Sequence, residues 1–339
     1  MSKPVRIGVV GLGYWGPNLV RNFRSIEGAT VPICCDLDLS RFQRLNAQYS
    51  DLDFTTSAKE VIEHRDVDAV ALATPVNTHY ELARIALNAG KSVLVEKPLS
   101  LRVEESEELV ELADLKGLTL AVDHVFVYSP AVRQVKQIVD SGRLGKLFFI
   151  DSVRINLGLF QHDVNVIWDL APHDLSIVDY LVGRMPRSVS AFGSVHAKKD
   201  IEDVAYLNLD FGEGLIANFH VNWLSPVKVR SMIIGGSEQS LIYNDLDSSE
   251  RIKVYDRGIS TDSDEEKHKS LISYRTGDMY SPNVSHDEPL RLMAADFVRC
   301  IQQQKRPVAD GRAGLRVVKI LEAAQRSIKA QGGRVILQD

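Results

Sequence analysis

The chain has 339 residues, more than one ordinary hydrophobic core accommodates, which predicts two domains. Its formal net charge of −5 and isoelectric point near 6.0 argue against a nucleic-acid-binding protein, for which a basic face is expected. The 45% hydrophobic and 25% charged residues are ordinary for a globular protein. No apolar run approaches the roughly 20 residues that span a bilayer.

The start of the chain and its cysteines bear on the cellular compartment. Met1 to Pro4 lead directly into an apolar segment, so we expect no signal peptide. Cys34 and Cys35 are adjacent and Cys300 is distant, a spacing that suits neither a disulfide framework nor a zinc site. We therefore expect buried, reduced thiols in a cytoplasmic protein.

Short apolar segments alternate with helical ones through the first part of the chain. Strands are predicted at 5–10, 31–36, 69–73, 92–95 and 118–122, with helices between them that end at Gly90 and Gly117. Near-continuous apolar strands joined by helical crossovers are typical of a parallel sheet with helices on both faces. We therefore predict a doubly wound Rossmann domain over residues 1–123.

Strands follow strands after a helix predicted at 131–141. Residues 205–211 alternate apolar with polar side chains, the period of a half-buried antiparallel strand. Further strands are predicted at 148–155, 188–195, 215–223, 229–234, 240–243 and 252–255, a mobile loop at 257–270, and amphipathic helices at 289–303 and 312–331. Residues 124–339 are thus expected to form an α+β domain with a large, mostly antiparallel sheet, whose C-terminal helices can pack back on the first domain.

A glycine-rich motif follows the first strand and precedes a helix: Gly11-Leu-Gly13-Tyr14-Trp15-Gly16. Gly11 permits the tight turn, Gly13 lets the backbone approach a pyrophosphate, and Gly16 lets helix and strand pack closely. The helix N-terminus offers N–H groups to the phosphates. The motif, with Tyr14 and Trp15, predicts a dinucleotide site; a glycine-rich turn without a ligand is the alternative.

The acidic residue Asp36 ends the second strand, 20 residues after Gly16, where it can accept hydrogen bonds from an adenosine ribose. Because its charge repels a 2′-phosphate, NAD is favoured over NADP, although Arg41 could soften that preference. The turn after a later strand lies where ligands of doubly wound sheets bind. Its candidate cofactor contacts are Thr74, Pro75, Asn77 and His79; for His79 the alternative is a helix-start residue without a ligand.

Glu96-Lys97-Pro98 follows another apolar strand and should lie at the carboxyl end of the sheet. There the Lys97 ammonium could hydrogen-bond the reacting hydroxyl or carbonyl oxygen and stabilise negative charge that develops on it. Glu96 and Lys97 are also candidate cofactor contacts. The alternative is an ion pair between Lys97 and Glu96 or another carboxylate.

Asp169 and His173 stand four positions apart beside Pro172. Proline is best tolerated in a first helical turn, so a helix should begin near Asp169, with both side chains on one face. His173 could take a hydroxyl proton as a general base, while Asp169 orients the imidazole or binds a neighbouring substrate hydroxyl. The alternatives are a helix N-cap and a core histidine. One Asp and one His are too few for a zinc site, so no metal is expected.

These motifs together resemble those of the glucose-fructose oxidoreductase / inositol dehydrogenase / rhizopine-catabolism (Gfo/Idh/MocA) oxidoreductases, over essentially the whole chain. The resemblance implies a Rossmann domain and an open-faced α/β domain for substrate binding, whose sheet forms homodimers or homotetramers. It also implies that Lys97, Asp169 and His173 are the catalytic residues. The segment 123–126 departs from the family, since many relatives carry an Asn and an Arg there.

The stretch from residue 154 to 168 resembles family members of nucleotide-sugar metabolism, which oxidise C3 of a UDP-linked amino sugar or reduce a 3-keto sugar. Arg154, Asn156 and Asn165 are therefore candidate sugar or phosphate contacts; surface polar residues beside a sheet are the alternative. The leading hypothesis is an NAD-dependent sugar dehydrogenase. The others are an inositol, polyol or sugar-phosphate dehydrogenase, a glycosidase that oxidises C3 transiently, and a non-catalytic NAD-bound sensor.

Overall fold

A computed structural model gives the fold and describes residues 3–158, 164–260 and 273–337. The chain divides into two compact units, the first of Met1–Ser129 and Asp287–Glu322 and the second of Pro130–His286 and Ala323–Asp339. The division therefore differs from a single boundary at residue 123. Tyr128 supplies a physical reason, because its buried hydroxyl donates to Asp296 at 2.8 Å. This hydrogen bond joins the two segments of the first unit, which the second unit separates in the sequence.

The first unit contains a parallel sheet in the order β4-β3-β1-β5-β6-β7, with β2 beside β1. Its strands are β1 (Val5–Val10), β2 (Ala29–Thr30), β3 (Ile33–Cys35), β4 (Asp53–Thr55), β5 (Ala69–Leu72), β6 (Ser92–Val95) and β7 (Leu120–Val122). All recorded pairings between these strands are parallel. The predicted doubly wound sheet is confirmed, and β4 is a strand that the sequence patterns had not indicated.

Five helices of the first unit connect these strands: α1 (Gly16–Arg24), α2 (Ser40–Gln48), α3 (Ala58–Glu63), α4 (His79–Asn88) and α5 (Val103–Lys116). Short 3₁₀ turns lie at Val76–Thr78 and Val125–Tyr128. Gly117 ends α5 in the left-handed conformation, as its position predicts. The interior is apolar; Ile7, Val9 and Val70 have no exposed surface.

The second unit is built on a nine-stranded sheet in the order β15-β14-β13-β12-β8-β11-β10-β9-β16. Helix α6 (Pro130–Asp140) precedes the first strand of this sheet, and α7 (Val166–Val182) lies between the first and second strands. The strands are β8 (Leu147–Leu157), β9 (Ser188–Ser194), β10 (Val204–Gly212), β11 (Leu215–Asn222), β12 (Leu224–Gly236), β13 (Ser240–Asn244), β14 (Ile252–Ser260), β15 (Ser273–Tyr280) and β16 (Val335–Ile336). Among the described strands of this nine-stranded sheet, only β8 and β11 pair in parallel. The expected mostly antiparallel sheet is confirmed.

The sheet of the second unit has one covered and one open face. α7 packs against β8, β10 and β11. On the opposite face Phe192, Tyr206 and Ile216 are exposed to 58%, 50% and 49%. Two later helices, α8 (Pro289–Gln303) and α9 (Gly311–Lys329), end the helical part of the chain; α8 and the first part of α9 belong to the first unit.

The predicted loop at 257–270 is wrong in its first residues. Strand β14 continues to Ser260 and pairs with β15, with Ser260 opposite Ser273. The ladder is held by backbone hydrogen bonds, which a polar sequence supplies as well as an apolar one, so composition alone did not reveal it. Residues 261–270 lie outside the described part of the chain.

None of the described helices combines the length and apolarity that a transmembrane span requires. Among the residues that the structure describes, no group of three or more His, Cys, Asp or Glu side chains is arranged to hold a metal ion.

Candidate functional site

The glycine-rich loop between β1 and α1 leaves no space for side chains at two positions. Gly11 adopts φ +93°, and a Cβ there would lie 2.4 Å from the Ala73 carbonyl oxygen. A Cβ on Gly16 would lie 1.9 Å from the Gly11 carbonyl oxygen. At Gly13 the nearest atom, in Arg41, is 3.5 Å away, so this glycine leaves the loop surface open. The loop thus fits a dinucleotide pyrophosphate that approaches the backbone closely.

Tyr14 and Trp15 stand at the rim of this loop. Their exposed fractions are 82% and 41%, and their rings meet edge to face at 5.1 Å. Trp15 precedes α1 without a side-chain hydrogen bond to cap the helix. Both aromatic side chains are accessible to a ligand of the loop.

Asp36 is fixed at the carboxyl end of β3. Its carboxylate accepts hydrogen bonds from the Leu12 N–H at 2.6 Å, the Asp38 N–H at 2.9 Å and Arg41 Nη1 at 2.9 Å. Burial acts to raise the pKa of Asp36, but these hydrogen bonds outweigh it and hold the pKa below its usual range. A charged acceptor beside the glycine-rich loop is what a ribose diol requires.

The turn after β5 exposes two of its predicted cofactor contacts, Pro75 and Asn77, and half-buries Thr74. His79 is different, because only 1% of its surface is exposed. Its Nδ1 lies 2.8 Å from the Pro98 carbonyl oxygen and its Nε2 lies 2.9 Å from the Thr74 carbonyl oxygen. Both ring nitrogens face acceptors of the chain itself, so the geometry argues against the expected cofactor contact and makes His79 a link between the turn and the Lys97 loop.

Glu96 and Asp123 form a buried carboxyl pair beside Lys97. They follow Val95 and Val122, which are partners in adjacent parallel strands, and they are 8% and 4% exposed. The two carboxyl groups lie close enough to share a hydrogen bond. Glu96 also accepts from the Lys97 backbone N–H at 3.2 Å. These contacts tie Glu96 to the Lys97 loop, and its contact with the dinucleotide stays a prediction.

Burial dominates the ionisation of this cluster. It raises the pKa of Glu96 well above its usual value, and the charge of Asp123 raises it further. It raises the pKa of Asp123 to about 6. Neighbouring His124 is 1% exposed, and burial together with the charges of Lys97 and Arg316 lowers its pKa to about 3. Asp123 and His124 were not predicted as site residues from the sequence, although the segment 123–126 was noted to depart from the family.

In the second unit, α7 begins at Val166, three residues before the predicted start. Asn165 caps the helix, because its side-chain oxygen accepts from the backbone N–H groups of Ile167 and Trp168, both at 3.2 Å. Pro172 therefore lies inside the helix, and Asp169 is not the N-cap. Asp169 and His173 lie one turn apart on α7 and are both half-buried, as the spacing predicts.

Trp223 is the partner of Asp169 that the sequence did not identify. Its indole Nε1 donates to Asp169 Oδ2 at 3.1 Å, and the side chain has no exposed surface. A buried indole N–H needs an acceptor, so a tryptophan at the end of an apolar strand was a usable signal. The hydrogen bond fixes the orientation of the Asp169 carboxylate.

Two predicted substrate contacts are corrected by their burial. Arg154 is 2% exposed and forms an ion pair with Asp174. Asn165 is 8% exposed, and its amide nitrogen donates to Glu202 at 2.7 Å and Gln325 at 2.6 Å. Both side chains are used inside the protein because β8 turns Arg154, and the helix cap turns Asn165, towards the interior. Asn156, near the end of β8, is half-buried and stays a candidate.

The predicted residues thus gather in two clusters, each within one unit. The first contains the glycine-rich loop, Asp36, the Thr74 turn and Lys97. The second contains Asp169 and His173 on α7, with Asn156 on β8. The first cluster can hold a dinucleotide, and the second presents an acid–base pair on one helix face.

Comparisons with known proteins agree with this assignment. The model of an oxidoreductase family with an NAD-binding Rossmann fold matches residues 5–124, and that of the GFO/IDH/MocA C-terminal domain matches residues 132–242. The UDP-N-acetylglucosamine 3-dehydrogenase of Acidithiobacillus ferrooxidans is 27% identical over 317 residues, which cover 93% of this chain and 94% of that protein. The NAD-dependent scyllo-inositol 2-dehydrogenase of Bacillus subtilis is 28% identical over 69% of this chain and 72% of its own length.

Solved structures share the fold. The structure of the Acidithiobacillus ferrooxidans enzyme superposes with a TM-score of 0.81 at 24% identity, covering 97% of this chain and 99% of the other. The WlbA dehydrogenase of Bordetella pertussis, solved with NADH and UDP-GlcNAcA, gives a TM-score of 0.83 at 20% identity, covering 100% and 99%. The chain belongs to the GFO/IDH/MocA family and is an NAD-binding oxidoreductase.

Proposed function

We propose that this enzyme transfers hydride between NAD and a sugar ring carbon, namely C3 of a nucleotide-linked amino sugar. The observation that carries the substrate class is the similarity to UDP-N-acetylglucosamine 3-dehydrogenase, which extends over 93% of this chain. The WlbA structure with UDP-GlcNAcA, which shares the fold, is consistent with it. When held by the glycine-rich loop and Asp36, NAD would supply the hydride acceptor, and its reduced form NADH would supply the donor in the reverse direction.

The chain's own residues have separate tasks in this proposal. Lys97 hydrogen-bonds the reacting oxygen and stabilises the negative charge that develops there. His173 takes the hydroxyl proton as a general base, and returns it in the reverse direction. Asp169, held by Trp223, orients the imidazole or binds a neighbouring hydroxyl. Gly11, Gly13 and Asp36 hold the dinucleotide, with Thr74, Pro75 and Asn77 as further contacts.

A cyclic polyol is the second candidate substrate. It is favoured by the similarity to scyllo-inositol 2-dehydrogenase, although that match covers only 69% of this chain. Both substrates offer a secondary ring alcohol to the same chemistry, so only turnover can separate them.

The test is a turnover assay with purified protein, NAD and a panel of UDP-linked sugars, free sugars and inositols, in which the absorbance of reduced cofactor is followed. We expect oxidation of UDP-N-acetylamino sugars. Lys97→Ala and His173→Ala should each lower the rate while NAD binding persists. Lys116→Ala, at the exposed end of α5, is the matched control. Tight NAD binding without turnover of any UDP-sugar would overturn the substrate assignment.

We propose further that the open face of the nine-stranded sheet joins subunits into a homodimer or homotetramer. Exposed Phe192 and Tyr206 are register partners on β9 and β10, and Tyr206 stacks on His220 of β11 at 4.4 Å. This places an aromatic row across three strands, and exposed apolar patches of this kind mark association surfaces. Sedimentation of wild type and Tyr206→Glu tests it; an unchanged mass would contradict the interface.

The free thiols of Cys34, Cys35 and Cys300 support a cytoplasmic location.

A further inference from the structure

Glu96 and Asp123 cannot both be ordinary carboxylates. They stand at the ends of neighbouring parallel strands, because Val95 pairs with Val122 and the Asp123 N–H donates to the Val95 carbonyl oxygen at 2.7 Å. Their side chains are 8% and 4% exposed, and the two carboxyl groups lie close enough to share a hydrogen bond. A carboxylate only accepts hydrogen bonds, so a hydrogen bond between these two groups requires a proton on one of them.

The charged groups around the pair determine how many protons it holds. Lys97 acts electrostatically on Glu96, on Asp123 and on His124. Arg316 of α9 acts on His124. Two ionised carboxylates would repel each other in a buried place, and two neutral carboxyls would leave no negative charge there to face Lys97. One shared proton leaves a single negative charge opposite the ammonium.

We propose that Asp123 is a positioning residue for Lys97: Glu96 and Asp123 share one proton, and the remaining negative charge of the pair is the buried counter-charge of the Lys97 ammonium. Glu96 carries the proton and donates it in a hydrogen bond to Asp123. The Lys97 backbone N–H donates to Glu96, which ties the lysine loop to the same pair. The consequence for turnover rests on the proposed role of Lys97, whereas the shared proton does not.

Infrared spectroscopy tests the shared proton without any substrate. At neutral pH the wild-type protein should show the C=O stretch of a buried, protonated carboxyl group. Glu96→Gln and Asp123→Asn should each abolish it, because the new amide donates to the remaining carboxylate. Glu63→Gln, at an exposed position on α3, is the control and should keep the band. A band that is absent in the wild type, or that survives in both single variants, would overturn the pair.

A double-mutant cycle then tests the counter-charge. Each single amide variant keeps one carboxylate, whereas Glu96→Gln/Asp123→Asn keeps neither at nearly the same volume. We expect the double variant to lose more than about tenfold in kcat beyond the product of the two single effects, since contacting residues couple. Effects that merely multiply would overturn the counter-charge role. NAD affinity and thermal unfolding of each variant check the fold; if no substrate is turned over, the proposed function fails while the infrared result still decides the shared proton.

Discussion

Arg154 of β8 and Asp174 of α7 form a bidentate ion pair inside the second unit. Nε lies 2.9 Å from Oδ2 and Nη2 lies 2.8 Å from Oδ1, with side chains 3% and 7% exposed. Asp174 directly follows His173, so the pair attaches the histidine-bearing turn of α7 to the sheet. Removal of one partner leaves the other charged and buried.

We therefore expect Arg154→Met to lower the free energy of unfolding by about 3–5 kcal/mol. Lys59→Ala breaks an exposed pair with Glu63 and should cost less than about 1 kcal/mol. Urea unfolding measures both. Since a buried pair can often be replaced by apolar residues, Arg154→Met/Asp174→Leu should recover part of the loss. Equal, small losses in Arg154→Met and Lys59→Ala would show that the ion pair does not hold α7.

Trp223→Phe keeps most of the buried ring and removes the N–H that Asp169 accepts. A hydrogen bond to a charged group contributes about 1.5–3 kcal/mol, and because Asp169 loses its fixed orientation we expect kcat to fall by roughly 10- to 100-fold. Steady-state kinetics with the active sugar measures this. In an Asp169→Asn background the same change should have a much smaller effect; a full second loss there would contradict the link.

Gly90 and Gly16 should respond differently to alanine, because Gly90 has a positive φ in open space and Gly16 has crowded surroundings. Gly90 has φ +75° with nothing within 4 Å of an added Cβ, so Gly90→Ala should cost only the left-handed strain, about 1–2 kcal/mol. At Gly16 the Cβ would collide with the Gly11 backbone, so Gly16→Ala should also displace the loop and weaken NAD binding strongly. Calorimetric titration with NAD compares them. NAD affinity lost equally in both variants would refute this distinction.

Cofactor choice should depend on Asp36 and Arg41 together. Asp36→Ser removes the charge that repels a 2′-phosphate and releases Arg41 from its 2.9 Å ion pair. Arg41 could then pair with the phosphate, so the NADP-to-NAD ratio of affinities should rise by about 10- to 100-fold. Fluorescence titration with both dinucleotides gives the ratio. In Asp36→Ser/Arg41→Ala the gain should largely disappear; a gain that persists would exclude Arg41 as the phosphate partner.

His124 should make the protein sensitive to acid. In the unfolded chain it gains a proton below about pH 6.5, but burial lowers its folded-state pKa to about 3. Between these values the unfolded chain binds more protons, so stability is lost as pH falls, by up to about 1.4 kcal/mol per pH unit. Asp123, with its pKa raised to about 6, acts in the opposite direction between about pH 4 and 6.

The stability difference between wild type and His124→Gln isolates this contribution. Measured by urea unfolding at several pH values from 7 to 4, the wild type should lose stability faster than the variant. His286→Gln, at an exposed position, should follow the wild-type curve. Parallel curves for wild type and His124→Gln would show that His124 is not held neutral.

The sequence by itself determined the two-domain plan, the parallel sheet and the dinucleotide loop. These features depend on neighbours along the chain: apolar runs form strands, Gly11 and Gly16 allow one turn, and Asp36 ends the next strand. The spacing of Asp169 and His173 likewise placed them on one helix face. Such patterns repeat within a few residues, so no distant contact is needed to interpret them.

Only the tertiary structure decided what the polar side chains contact. Arg154 was a candidate for substrate until β8 and α7 packed and buried it against Asp174. Asn165 proved to be a helix cap, His79 a link between two loops, and Trp223 the partner of Asp169. A buried polar group must find its partner wherever the fold brings one, 20 residues away for Arg154 and 54 for Trp223, and that pairing leaves no periodic trace in the chain.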